Sequence, residues 1–262
     1  MKLIIADLDG SIINNNKISA ADIQSIENWI SGGDCFTIST GRPFSRTIKI
    51  IDELKITMPV VLCNGAAIYT VNEATEILKS INTNDVKSML HFLNQEKILV
   101  NCIIYYGCKT QLLHANQYLL RKVTEWGIDY NCIDDIQDII NEPILMISFY
   151  NPSDEMKNSF QHFSELFSIE CLSSNYIDIL PTGINKGYAL KKILNNCAFT
   201  DIYVIGDSCN DLSMVFGSNK LVAVENADQE IIDKAYMVIN SNKNNPVSDL
   251  INAIRSNKNG NI

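Results

Sequence analysis

Acidic side chains gather in two short motifs near opposite ends of the chain. Asp7 and Asp9 follow one apolar run, and Asp207, Asn210 and Asp211 follow another. Each run predicts a strand that ends in a turn. If these strand ends are neighbours, three or four carboxylates converge on one point. Carboxylates crowded in a low dielectric raise one another's pKa unless a cation neutralises them.

Cationic and polar residues follow the same pattern. Thr40, Gly41 and Arg42 end another apolar run, and Lys186 opens a predicted helix before the second acidic motif. Mg2+ suits carboxylate oxygens where phosphate supplies the remaining ligands. With Lys186 and Arg42 as fixed positive charges, such a site suits phosphoryl transfer, which needs clamped phosphoryl oxygens, an in-line nucleophile and a protonated leaving group.

Each motif also has a purely structural explanation. Asp-x-Asp-Gly is common in turns, and no bidentate Glu follows at the twelfth position of an EF-hand loop. Thr-Gly-Arg-Pro can be a turn and a helix start, and Asp207 and Asp211 can be an N-cap and a first-turn acid. The combination of all the motifs, each at a strand end, favours a site.

The first and last thirds of the chain alternate strands with helices. Predicted strands are Leu3–Ala6, Cys35–Ser39, Val60–Cys63, Ile202–Ile205 and Leu221–Val224, and predicted helices begin at Ser19, Pro43, Lys186, Asn210, Asp228 and residue 247. This alternation with short loops predicts an α/β fold with a doubly wound, Rossmann-like parallel sheet. Ligands bind at the carboxyl ends of the strands in such sheets.

The middle of the chain has a different rhythm, with hairpin-like pairs of strands and a long predicted helix over 154–167. We expect it to form a smaller inserted α/β domain, a cap, over 82–182. The core domain then consists of 1–81 and 183–262.

Composition limits the partners. The chain has 262 residues and a formal net charge of −9, with a pI near 4.8, so we expect no nucleic-acid or membrane partner. No apolar run approaches the roughly 18–20 residues of a membrane span, and we expect no signal peptide, because the apolar stretch before Asp7 is short. Eight cysteines without a C-x-x-C pair indicate reduced thiols in a cytoplasmic protein.

The combined motifs resemble the haloacid dehalogenase superfamily, specifically its Cof-type phosphatase branch. The family pattern is hhhhDxDGT, a strand ending in TGR, a Lys and then GDxxND. This chain has LIIADLDGS from Leu3, STGRP from Ser39, NKG from Asn185 and IGDSCND from Ile205. The segment CNGA from Cys63 is similar to the Asn-Gly-Ala segment of the branch. The likeness covers 1–80 and 183–240.

The resemblance implies a role for each motif residue. It implies that Asp7 is the nucleophile that forms an aspartyl-phosphate, that Asp9 is the general acid and base, and that Lys186 neutralises the phosphoryl group. It also implies further binding residues: Thr40, Gly41, Arg42 and Asn210 for phosphate, and Asp7, Asp9, Asp207 and Asp211 for Mg2+.

Two positions depart from the family pattern. Ser11 replaces the usual Thr and keeps the hydroxyl, and Glu225 stands where the family usually has Gly, which can alter the loop near the metal.

The insertion point is distinctive. Only 31 positions separate Asp9 from Thr40, whereas 122 separate Asn64 from Lys186, so a cap fits only in the second interval. A cap that closes over the site excludes water and contacts the leaving group. The candidates for this contact are Tyr105, Tyr106, Lys109, His114 and Asn175.

The expected function is Mg2+-dependent hydrolysis of small phosphomonoesters. Sugar phosphates are the expected class, and flavin or pyridoxal phosphates remain open. Two alternatives stay open: a phosphomutase of the same superfamily, and a non-catalytic phosphate-binding or phosphoacceptor module. We expect a monomer or a small homo-oligomer.

Overall fold

A five-stranded parallel sheet forms the core domain. The computed structural model describes residues 1–173, 176–195 and 197–259. The core strands are β1 (Lys2–Ala6), β2 (Cys35–Ile38), β12 (Asp201–Gly206), β13 (Lys220–Val224) and β14 (Met237–Ile239), in the order β14-β13-β12-β1-β2. β1 lies between β2 and β12, and its last residue, Ala6, pairs with Ile205. The segments that follow β1 and β12 therefore leave the sheet side by side.

Helices cover both faces of this sheet. They are α1 (Ala20–Ser31), α2 (Phe44–Glu53), α6 (Lys186–Leu194), α7 (Gln229–Lys234) and α8 (Pro246–Asn259). Leu3 and Ile5 share a buried cluster with Leu190 of α6, whereas Ile4 shares another with Trp29 of α1. Because both faces of β1 are buried, its sequence is continuously apolar. The predicted doubly wound sheet is confirmed.

A small antiparallel sheet follows α2. It consists of β3 (Val60–Leu62), β4 (Ala67–Tyr69) and β5 (Glu76–Ile77). A single bridge between Ser39 and Val61 connects it to the end of β2. The turn at Cys63–Gly65 lies between β3 and β4 and places Asn64 beside the Thr40–Arg42 segment, since the Asn64 N–H donates to the carbonyl of Thr40 at 3.1 Å.

A second α/β layer, the cap, is built on a six-stranded mixed sheet. Its strands are β6 (Cys102–Tyr105), β7 (Thr110–Leu113), β8 (Asn131–Ile133), β9 (Met146–Tyr150), β10 (Phe167–Ser173) and β11 (Tyr176–Pro181), in the order β10-β11-β9-β6-β7-β8. Its helices are α3 (Thr83–Gln95), α4 (Gln117–Trp126) and α5 (Asp154–Ser159).

The two faces of the cap sheet pack differently. One face shares a buried cluster with α3 and α5, including Met89 and Met156. The opposite face carries Tyr105 and Met146 and shares the larger cluster that also contains core residues such as Ile51. This second face therefore looks toward the core domain.

Two local predictions were wrong, and strands β8 and β14 were missed. The helix expected over 154–167 ends at Ser159 and continues as a 3-10 turn, because Phe167 pairs with Pro181 in the cap sheet. The helix expected near Asn210 is a short 3-10 segment, Cys209–Met214. Strand β14 was missed, as an edge strand with an exposed Val238. Among the described residues, we find no helix with the length and apolarity to cross a membrane.

Candidate functional site

Three carboxylates converge where β1 and β12 end. Asp7 follows β1, Asp207 follows β12, and Asp211 lies in the 3-10 segment after it. Each offers an oxygen within 4.8 Å of the others. The Asp7 N–H donates to the carbonyl of Ile205 at 3.0 Å, which carries the β1–β12 pairing up to the site.

Lys186 supplies the cation of this cluster. Its ammonium donates to Asp7 Oδ1 at 2.8 Å and to Asp211 Oδ1 at 2.7 Å, and its side chain is 2% exposed. Helix α6 approaches closely because residue 187 is Gly: a Cβ there would lie 1.8 Å from the carbonyl oxygen of Ser213. The Gly after Lys186 therefore helps to bring the ammonium to the acids.

Hydrogen bonds fix the orientation of the two later acids. Asp211 Oδ2 accepts from the backbone N–H groups of Asp207 and Ser208 at 2.9 and 3.1 Å. Ser11 donates to Asp207 Oδ1 at 2.8 Å. Ser11, which stands where the resembled family usually has Thr, thus keeps a hydroxyl that hydrogen-bonds to Asp207. Gly10, at φ +82°, allows this approach, since a Cβ there would lie 2.2 Å from Asp207 Oδ2.

Crowding changes the pKa of the acids. Burial raises the pKa of Asp7 well above its ordinary value, although the Lys186 charge opposes this. Burial and then the charge of Asp211 raise the pKa of Asp207 to about 7. Burial alone would lower the pKa of Lys186, but Asp211 and Asp7 outweigh it and raise that pKa. One ammonium therefore does not fully compensate three carboxylates.

This donor set fits a divalent cation. Asp7, Asp207 and Asp211 offer only hard carboxylate oxygens, which Mg2+ prefers. Both oxygens of Asp211 already accept hydrogen bonds, so Asp7 and Asp207 are the better-placed direct ligands.

Asp9 is held by Arg42 in a two-point ion pair. Nε donates to Asp9 Oδ2 at 2.7 Å and an Nη donates to Oδ1 at 2.5 Å. Burial raises the pKa of Asp9, but the Arg42 guanidinium outweighs it and leaves that pKa below its ordinary value. The structure therefore places Arg42 on Asp9, and its predicted contact with phosphate stays a prediction.

The remaining predicted residues line a cavity of about 270 Å³ above the carboxylates. Thr40, Gly41 and Asn210 form part of its base. Asn64, which was not predicted as a site residue, also lines this cavity. Asn64 is buried, with a backbone φ of +50°. Neither Oδ1 nor Nδ2 of its side chain has a hydrogen-bond partner among the described residues.

The cap closes the other end of the cavity, and one of its predicted contacts is there. Tyr105 lines the cavity. Tyr106 instead donates to Gln111, and Lys109 pairs with Glu142. The described lining of the cavity does not include Tyr106, Lys109 or His114. Asn175 lies outside the described residues.

Sequence reasoning missed most of the cap side of the cavity. The missed lining residues are Trp126, Met146, Ser148, Tyr150, Tyr176 and Asp178 of the cap, together with Arg46 of the core helix α2 and Ser208 at the base. Those on β9 and β11 alternate along their strands, a signal that becomes informative only when the strand order is known. Glu225 is exposed and accepts from the Ser241 N–H, away from the described cavity lining.

Comparison with known protein families shows the family to which the chain belongs. The model of the family described as "haloacid dehalogenase-like hydrolase" matches residues 4–251. The chain belongs to this family. As a haloacid dehalogenase-like hydrolase, it is an enzyme, and the membership expected from its motifs is confirmed.

Relatives and solved structures match along nearly the whole chain. The chain is 27% identical to the 5-amino-6-(5-phospho-D-ribitylamino)uracil phosphatase YwtE of Bacillus subtilis, over 98% of this chain and 99% of that protein. It is similar in fold to a haloacid dehalogenase-like hydrolase from Bacteroides thetaiotaomicron (TM-score 0.85, 19% identity, 97% and 99% of the two chains). It is also similar in fold to the subclass IIB sugar phosphatase BT4131 (TM-score 0.82, 17% identity, 97% and 99%).

Proposed function

We propose that the chain is a Mg2+-dependent phosphomonoester hydrolase that acts on small phosphorylated metabolites through an aspartyl-phosphate on Asp7. The observation that carries this proposal is the buried cluster of Asp7, Asp207 and Asp211 around the Lys186 ammonium. The Bacillus subtilis relative YwtE, which is named as a phosphatase, supports the same reaction.

The first half of the reaction uses Asp7 and Asp9. A carboxylate oxygen of Asp7 attacks phosphorus, and the bond between phosphorus and the leaving oxygen breaks as that oxygen takes a proton from Asp9. The Arg42 ion pair holds Asp9 as a carboxylate, so Asp9 must first part from Arg42 and take up a proton from solvent before it can donate to the leaving oxygen. The Lys186 ammonium keeps Asp7 oriented and offsets the charge of the phosphoryl group.

The second half releases phosphate. Asp9, now a carboxylate, takes a proton from water, whose oxygen attacks phosphorus and displaces the Asp7 carboxylate. Thr40, Gly41 and Asn210 line the base of the cavity, where they would hold the phosphoryl oxygens.

Asp7 and Asp207 would hold Mg2+, with the backbone carbonyl of Asp9 as a further ligand and Asp211 in support. When bound, the ion supplies positive charge that offsets the negative charge of the phosphoryl group.

Substrate size follows from the cavity. A volume of about 270 Å³ lies just below the roughly 300–1,000 Å³ that ligand sites usually span. Small metabolites fit such a space, and sugar phosphates remain the class that the sequence resemblance predicts. The cytoplasmic location and the oligomeric state also stay predictions.

The decisive experiment is a screen of phosphorylated metabolites that measures phosphate release with Mg2+ and with EDTA. We expect release that needs Mg2+ and disappears in Asp7→Asn. An isomeric phosphate in place of inorganic phosphate would indicate a phosphomutase. Phosphate binding without release from any phosphomonoester would indicate a binding module, and either result would overturn the proposal.

A further inference from the structure

Three consecutive residues between β3 and β4 lie in the left-handed region of the backbone. Their φ values are +48° at Cys63, +50° at Asn64 and +103° at Gly65. Gly adopts this region freely and Asn tolerates it, but a residue such as Cys rarely does. Strained backbone persists where the surrounding structure fixes it, and it is concentrated at functional sites. The strain therefore points to a functional reason for the position of Asn64, the central residue of the turn.

Neighbouring segments of the core domain hold this turn from two sides. The Asn64 N–H donates to the carbonyl of Thr40 at 3.1 Å. On the other side, a Cβ on Gly65 would lie 2.2 Å from the carbonyl oxygen of Asn185, the residue before Lys186. The backbone of Asn64 is therefore fixed between the segment that follows β2 and the start of helix α6.

The side-chain amide of Asn64 lies against Gly41. A Cβ on Gly41 would lie 3.0 Å from Asn64 Oδ1 and 3.2 Å from Nδ2, which is closer than side chains normally pack. The glycine at position 41 therefore leaves the space that the amide occupies. Both residues line the same cavity as Asp7, so the amide lies at the base of the site.

The amide is buried without a hydrogen-bond partner. Asn64 is 0% exposed, and neither Oδ1 nor Nδ2 has a partner among the described residues. A buried amide that makes no hydrogen bond is unfavourable, and an apolar side chain of similar size would avoid this cost. Because the amide lines the cavity, a bound ligand can supply the missing partner.

The ligand that fits the amide best is an anion. The cavity lining that includes Asn64 also includes the Lys186 ammonium and the Thr40 hydroxyl, which are both hydrogen-bond donors. A phosphoryl group presents acceptor oxygens, so Nδ2 is the atom that would meet it, and water in the cavity can serve Oδ1. A neutral donor held in place stabilises the phosphoryl oxygens without adding a further charge to the cluster.

We propose that Asn64 is a further phosphoryl-binding residue, whose side-chain Nδ2 donates a hydrogen bond to an oxygen of the phosphoryl group that Asp7 attacks. Gly41 makes room for this amide, and the left-handed turn holds it in place. This inference rests on the proposed hydrolase function and deepens it.

Asn64→Gly removes the amide and keeps the backbone conformation, because Gly adopts a positive φ freely. We expect kcat/KM with Mg2+ to fall by about 10- to 100-fold, as for the loss of a hydrogen bond to a charged group. The factor should agree within about 3-fold between p-nitrophenyl phosphate and acetyl phosphate, since these substrates share only the phosphoryl group. A loss confined to one of them would assign Asn64 to the leaving group and overturn the inference.

Asn64→Asp separates a donor from a residue that only fills space. Asp keeps the shape and tolerates a positive φ, but it replaces the N–H donor with an anion that repels the phosphoryl group. We therefore expect kcat/KM to fall in the order wild type, Asn64→Gly, Asn64→Asp. A space-filling role predicts the reverse order for the two variants. Wild-type kcat/KM in Asn64→Asp would overturn the inference by itself, even if Asn64→Gly fails to fold.

Asn72→Gly is the matched control. Asn72 also has a left-handed backbone, with φ +65°, but it is exposed in the turn between β4 and β5. This variant should leave kcat/KM unchanged for both substrates. In urea without ligand, Asn64→Gly and Asn72→Gly should shift the unfolding midpoint equally, because the Asn64 amide has no partner to lose. A larger shift in Asn64→Gly with unchanged kcat/KM would indicate a structural role and overturn the inference.

Calorimetry with inorganic phosphate and Mg2+ separates this inference from the proposed function. We expect the Kd for phosphate to rise by about 10- to 100-fold in Asn64→Gly and to stay unchanged in Asn72→Gly. Absence of phosphate release from any phosphomonoester by the wild type would refute the proposed function, and phosphate binding would still decide the role of Asn64. Equal phosphate affinity in the wild type and Asn64→Gly, or no phosphate binding by the wild type, would overturn the inference.

Discussion

Replacing Lys186 with Met tests whether one buried ammonium holds the acidic cluster together. The ammonium makes two ion pairs, at 2.8 Å to Asp7 and 2.7 Å to Asp211, and all three side chains are nearly inaccessible. Met has a similar length, so the change removes charge and little packing. Removing one partner of a buried pair costs roughly 3–5 kcal/mol, because the other charge stays buried without compensation. We expect the free energy of unfolding to fall by about this amount.

A second lysine on the same helix is the control. Lys192 pairs with Glu76, and both side chains are 52% exposed. Exposed ion pairs contribute about 0–1 kcal/mol, since water and salt screen them. Lys192→Met should therefore change the free energy of unfolding by less than about 1 kcal/mol.

Urea unfolding followed by circular dichroism measures both variants, in EDTA and with saturating Mg2+. In EDTA the midpoint should fall only for Lys186→Met, with the slope unchanged. Mg2+ should raise the midpoint of Lys186→Met more than that of the wild type, since binding to the folded state stabilises it and the variant cluster lacks its own cation. Equal losses in the two lysine variants, or none in Lys186→Met, would refute the reasoning.

Three further perturbations follow from the structure. Asp7→Asn should abolish turnover and leave the unfolding midpoint unchanged or higher, because the buried charge whose pKa burial raises is removed while an oxygen remains for the ammonium. Gly187→Ala should destabilise by about 1–3 kcal/mol by overpacking against Ser213, whereas Gly107→Ala, with nothing within 4 Å, should be neutral; thermal unfolding checks both. Asp178→Asn should stabilise the protein at high pH, because the pKa of Asp178 is about 6 in the folded protein against an ordinary value of 3.8, so the free energy of unfolding of the wild type falls by up to about 3 kcal/mol as pH rises from 4 through 6. Urea unfolding should therefore show a stability gain in the variant that is absent at pH 4 and complete above pH 7. A gain independent of pH would contradict this expectation.

The base of the site could be predicted because one topological rule positions it. Parallel strands of a doubly wound sheet end at the same edge, so Asp7 and Asp207 had to be neighbours once β1 and β12 were paired. Lys186 was equally predictable as the first residue of a helix that precedes β12. The short Asp9–Arg42 contact was not, since it depends on how two long side chains meet rather than on where their strands end.

The chemistry of the cap could not be predicted from the sequence. Its strand order, β10-β11-β9-β6-β7-β8, does not follow the chain, so the sequence did not reveal that Ser148 faces Asp178. The predicted helix over 154–167 failed for a related reason: apolar spacing typical of a helix was overridden when Phe167 paired with Pro181. Strand β8 left no signal, because Asn131 and Cys132 are exposed on an edge strand.

The charge balance at the base of the cavity predicts a role for the metal. Three carboxylates face one ammonium there, so acidic groups outnumber cations in the cluster, and their negative charge would repel a phosphoryl group. Calorimetry should therefore show that inorganic phosphate binds with Mg2+ and does not bind in EDTA. Phosphate binding that ignores EDTA would mean that Lys186 and Arg42 suffice for the anion, and the excess negative charge at the base would then have no functional consequence.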